Sequence, residues 1–125
     1  MMKLHHPEWK VCLEHQANFN YQIIRGYWVG AFQDPLAFLE IWTTFAANNL
    51  TGWSNAQYDA YIEEASQIIA PDQRLALLAK AEGLLLAQAP VIPVFWYTRT
   101  YLMDPRVQGW QAHLTDVRPL KQVHF

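Results

Sequence analysis

The sequence predicts an α/β fold with three to four helices and only two or three strands, and three observations lead there. Apolar residues recur at helical spacing over residues 38–45, 58–69 and 77–85. Aromatic and β-branched residues dominate 21–29 and 91–102, the signature of extended chain. The third observation is a shortage. At 125 residues the chain is long enough to bury about two thirds of its unfolded surface, but so few strands do not make the layered sheet of a complete domain.

Along the chain, Trp9, Cys12 and Leu13 share one side of a short amphipathic helix from Pro7 to about His15, with Glu8, Lys10 and Glu14 mostly on the others. Residues 21–29 read as a strand that turns at Gly30, and because both parities are apolar they predict burial on two faces, with Tyr27 packed inward. Asp34-Pro35 reads as an N-cap followed by proline at the first helical position, opening a helix to about Ala47. Residues 48–53 form a polar loop. Asn49-Leu50-Thr51 within it fits the glycosylation acceptor pattern, which three residues often satisfy by chance. Ser54 and Gln57 make a capping box ahead of the stripe Tyr58, Tyr61, Ile62, Ala65, Ile68 and Ile69. Pro71 starts a second helix with Leu77, Leu78, Ala81, Leu84 and Leu85 on one face, ended by Pro90, so the two form a helical hairpin. The extended run 91–102 confines Pro93 to its start or an edge, and residues 121–125 offer a last short strand.

Composition narrows the function classes. Nine Lys and Arg against 11 Asp and Glu give a net charge of −2, which provides no basic field for nucleic acid. The hydrophobic fraction is 52% against 16% charged, with six Trp, six Tyr and six Phe, a ring content that suits an aromatic-lined site or a surface meant to be covered. The start MMKLHHPEWK lacks the apolar run of a secretory leader, and no stretch approaches ~18 apolar residues, so a soluble chain is expected. Cys12 is expected to be a small buried hydrophobe, and His5 and His6 to be solvated.

Chemistry-bearing motifs are scarce. Neither common phosphate cradle occurs, no cofactor motif is present, and His15, His113 and His124 stand too far apart to form a local metal motif. The strongest enzyme pattern is Asp34 and Glu40 beside Trp28, Phe32 and Trp42, since paired carboxylates with aromatic platforms serve glycan cleavage. Asp34 is already accounted for as a cap, and Glu40 falls on the exposed side of its helix.

Read as one string, Arg25-Gly26-Tyr27-Trp28-Val29-Gly30-Ala31-Phe32-Gln33-Asp34-Pro35-Leu36-Ala37-Phe38-Leu39 resembles a signature of the peptide-binding solute-binding proteins of ABC transporters. The likeness continues through Asn48-Asn49, Trp53, Tyr58-Asp59, Gln73-Arg74, Leu78, Lys80-Ala81-Glu82, Leu85 and Pro90, and then through Ile92-Pro93-Val94 into Phe95-Trp96-Tyr97. Glu8-Trp9-Lys10 with Leu13 extends it at the front, so it covers about Glu8 to Trp110.

The resemblance implies a C-terminal portion of a two-lobed receptor that closes on a peptide. Residues 1–98 would form part of the second ligand-binding lobe. Residues 99–125 would cross the hinge, with Tyr97 and Arg99 facing it, and return as a tail to the first lobe. It also implies peptide ligand and membrane permease subunits as partners beside the missing N-terminal portion, a periplasmic or cell-surface location, no catalysis, and neither cofactor nor metal. Ligand-binding residues carried over are Arg25, Trp28, Val29, Gly30, Ala31, Phe32 and Asp34. In similar receptors an Asp commonly stands where this chain has Ala31, so the charge that meets a peptide's ammonium is absent there. The same scaffold in relatives also carries nickel complexes, haem or sugars, and a glycan-binding or glycan-cleaving module using Asp34 and Glu40 is the reading from a different class.

Overall fold

The computed structural model describes residues 3–98, 100–111 and 120–125. Its element order is helical: α1 (Trp9–Ala17), α2 (Leu36–Leu39) running into a 3-10 turn (Glu40–Trp42), α3 (Ala56–Gln67), α4 (Pro71–Gln88), and a 3-10 turn (Leu120–Gln122).

The hairpin of α3 and α4 holds the core. Leu39, Tyr58, Ile62, Ala65, Leu78, Ala81 and Leu85 bury one another, with Trp42, Trp53, Leu77, Leu84 and Val91 packed at the margin. Tyr58 is fully buried, and its hydroxyl donates to the Leu39 carbonyl at 2.6 Å, so α2 is stitched to the hairpin through the ring's polar end. Burial raises the phenol well above its usual range.

The caps explain where the helices start and stop. Asn55 rather than Ser54 caps α3, its side chain accepting from the backbone N–H groups of Gln57 and Tyr58 at 2.9 and 3.1 Å. Ile69 lies beyond the helix end and is 96% exposed, which corrects its assignment to the apolar stripe. At the other end of α4, Ala89 adopts the left-handed conformation and its N–H returns to the Leu85 carbonyl, immediately before Pro90.

The helix expected from Asp34 to Ala47 is shorter, ending in a 3-10 turn at Trp42. Asn49 supplies the reason. Its amide donates to the carbonyls of Trp42, Thr43 and Trp53 at 2.9–3.2 Å, and the Thr44 N–H goes to Asp59 Oδ1, so side chains take over the backbone groups a longer helix would pair. Only 9% of Asn49 is exposed, so the acceptor-like triplet 49–51 is a loop organiser here. Phe45, expected on the helical stripe, is 95% exposed as a result.

The strands are the main correction. Residues 21–29 and 91–98 carry no regular secondary structure, with bends at 22–23 and 91, and no β-ladder forms among the described residues; the single isolated bridge pairs Gln108 with His124 in the tail, whose last residues form a 3-10 turn and that bridge instead of a strand. A lone two-stranded ribbon is marginal in water, and no third strand is at hand to support it. Tyr27, expected inward, is exposed. Gly109 beside the bridge is held at φ +74° with the Gln122 carbonyl against its α-carbon, a position that admits no side chain.

The remaining expectations concern exposure. His5 and His6 are exposed, whereas Cys12 is a half-buried free thiol on α1, a helix with no fully buried residue. Among the described residues no helix is long and apolar enough to cross a membrane. Arg99 and His113 lie outside the described residues.

Candidate functional site

The two extended segments meet through their side chains, with opposite parities on different contacts. Tyr97 packs edge-on against Tyr27 at 6.4 Å and in a tilted arrangement against Phe95 at 5.0 Å, whereas Trp96 packs edge-on against Phe38 of α2 at 6.2 Å. Residues 27, 95 and 97 thus gather in one cluster while Trp96 joins Phe38 in another. Both clusters face solvent: Trp96 is 85% exposed.

Trp28 is 42% exposed but held, because its indole N–H donates to the Ala37 carbonyl at 2.8 Å. Gly30 lies under the Phe38 ring, where an added β-carbon would come within 2.8 Å of two ring atoms. Val29 just before it, and Ala31 and Phe32 in the bend that follows, are exposed. The structure therefore places Trp28 against the Ala37 carbonyl and Gly30 against Phe38, which in turn meets Trp96, with Val29, Ala31 and Phe32 exposed alongside in sequence.

Asp34 is committed elsewhere. Both its oxygens accept from the Arg74 guanidinium of α4 at 2.7 Å, and Oδ1 also accepts the Leu36 N–H at 2.8 Å as the expected cap. The Arg74 hydrogen bonds hold its carboxyl below the ordinary value, against a smaller opposing effect of desolvation. A carboxylate so neutralised is a clamp for the 30–36 turn, and it makes a poor partner for exposed Glu40 in acid–base chemistry. Arg74 is the residue that sequence reasoning missed: it had been read within Gln73-Arg74 and Asp34 within Asp-Pro, and only folding shows that the two motifs join.

Arg25 is exposed on the first extended segment. One guanidinium N–H donates to the Tyr97 hydroxyl, and the group lies 5.9 Å from the centre of the Tyr97 ring. Among the described residues no group of three or more His, Cys, Asp or Glu could hold a metal.

The candidate site is an exposed set of aromatic side chains beside a packed helical hairpin, with the Arg25 guanidinium resting on Tyr97. The comparisons specify the class. No protein-family model matches the chain. It is 36% identical over 96% of its length to the dipeptide-binding protein DppE of Bacillus subtilis, and 34% identical over 86% to the oligopeptide-binding protein OppA of the same organism. It is 32% identical over 87% of its length to the periplasmic murein peptide-binding protein MppA of Escherichia coli. A solved structure titled as the unliganded open form of an MppA periplasmic murein tripeptide binding protein superposes with a TM-score of 0.77 at 33% identity, over 86% of this chain and 21% of that one. The chain belongs to the oligopeptide- and dipeptide-binding solute-binding proteins of ABC transporters, and spans about a fifth of the length of the relatives it matches.

Proposed function

We propose that these residues form part of the second lobe of a peptide receptor, binding oligopeptides or dipeptides in a cleft between lobes and delivering them to a membrane permease. The observation that carries the reading is the alignment of 120 residues with a dipeptide-binding protein at 36% identity. In it Trp28 and Phe32 form a wall for side chains of varied size, the backbone of 28–31 offers N–H and C=O groups to an extended ligand, and Arg25 meets the ligand's carboxyl end. Asp34 serves through Arg74, by fixing the turn. With Ala31 in the turn and Asp34 neutralised, the ligand's amino end finds no free carboxylate there, which favours ligands whose amino end is blocked or held by the other lobe.

Residues 99–125 cross the hinge and return to the first lobe in this reading, and the receptor works in the periplasm or at the cell surface, without catalysis. The 125 residues alone supply one wall of the cleft, so their affinity is weak, with a Kd on the order of 1 mM, about −4 kcal/mol. Tryptophan fluorescence of the chain, titrated with a tri- to pentapeptide mixture and separately with an oligosaccharide mixture, tests this. The expected result is a shift with peptides that Trp28→Phe diminishes. A response to oligosaccharides with release of reducing ends would overturn it in favour of the glycan reading, and a response to a nickel complex, haem or a simple sugar would assign a different cargo.

A further inference from the structure

We propose that Tyr97 is the positioning residue that holds Arg25 in readiness for a ligand carboxylate, an inference that rests on reading this surface as the ligand site. Arg25 is exposed on a segment without regular secondary structure, where a long side chain has every freedom to wander. Among the described residues two contacts restrain it, and both come from Tyr97: the hydroxyl accepts one guanidinium N–H, and the ring lies 5.9 Å from the guanidinium carbon.

Tyr97 is itself packed against two rings, Phe95 at 5.0 Å in a tilted arrangement and Tyr27 edge-on at 6.4 Å. The ion pairs among the described residues are Arg74 with Asp34 and Arg106 with Asp104, so no carboxylate there neutralises Arg25. A guanidinium has five N–H donors, and one bond to a neutral phenol leaves enough of them for the paired contacts a carboxylate takes. Holding the group before the ligand arrives removes an ordering cost from binding. The same contact ties together two segments that lie 72 residues apart, so the receptor's two extended strips are registered through the residue that waits for ligand.

Nitrogen-15 NMR of arginine-labelled chain without ligand, in wild type, Tyr97→Phe and Tyr97→Leu, tests the restraint, with Arg25→Lys to assign the signal. The wild type is expected to show slowed guanidinium rotation and an upfield ring shift of the Arg25 side-chain protons. Tyr97→Phe should keep the ring shift and lose the slowed rotation, and Tyr97→Leu should lose both. Arg25 signals unchanged in both variants would overturn the proposal. In the second arm, tri-alanine and tri-alanine amide are titrated into wild type and Tyr97→Phe. The preference for the free acid should fall about fivefold while affinity for the amide stays the same. If neither peptide binds the wild type, the peptide reading fails, and the ligand-free spectra still decide the role of Tyr97.

Discussion

The α3–α4 hairpin and the two extended segments are built from similarly apolar sequence, yet the hairpin buries its side chains and the segments display theirs. Tyr58 and Leu78 are almost wholly inside, whereas Trp96 is 85% exposed. The difference is one of self-sufficiency. A helix satisfies its own backbone and needs only one face covered, which a neighbouring helix can do. A strand must find partners on its edges as well as cover for its faces. Among the described residues the first requirement is met and the second is not.

The comparison breaks first in the core. Tyr58→Ala removes a fully buried ring and its hydroxyl bond to Leu39, and is expected to cost about 3–5 kcal/mol, enough to abolish the cooperative thermal transition followed by circular dichroism. Asn55→Ala removes the cap of α3 and should cost about 1 kcal/mol in denaturant unfolding.

Asp34→Asn comes next and connects the two regions. Asn keeps the cap on Leu36 but surrenders the charge pair with Arg74, so a loss of up to about 1 kcal/mol is expected near neutral pH. The pH dependence has a definite sign. Because the folded carboxyl lies below its ordinary value of 3.8, the pair's contribution is present above that value and is lost as pH falls through the folded value. The Asn variant should lack this acid-side loss; equal acid sensitivity in both proteins would detach the pair from stability.

The smallest effect on stability is expected at the displayed rings. Trp96→Ser should change the unfolding free energy by no more than about 0.5 kcal/mol, while light scattering at high concentration should show reduced self-association. A large destabilisation would mean that the extended segments belong to the core after all.

Legibility in the sequence follows the same division. The hairpin was readable because its stripe is local: Tyr58, Ile62 and Ala65 sit at helical spacing, as do Leu78, Ala81 and Leu85. Its cap was misplaced by one residue, since Ser54 and Asn55 are both good caps and only geometry decides which oxygen reaches the Gln57 N–H. The expected strands formed no ladder among the described residues, because ladder formation depends on partners that residue preference does not encode. At the site, Trp28, Phe32 and Arg25 were singled out from their place in one string. The Asp34–Arg74 clamp and the Arg25–Tyr97 contact, 40 and 72 residues apart, were invisible, and the one available hint was the shared alternation of Tyr27-Trp28 with Trp96-Tyr97.

Hydrogen exchange read by mass spectrometry on the 125-residue chain, with and without millimolar tri- to pentapeptides, tests the account most directly. Slow exchange is predicted across α3 and α4 and rapid exchange across 21–29 and 91–98, with peptides slowing only the latter pair. Uniform protection throughout, or protection of the extended segments by oligosaccharides and not by peptides, would contradict it.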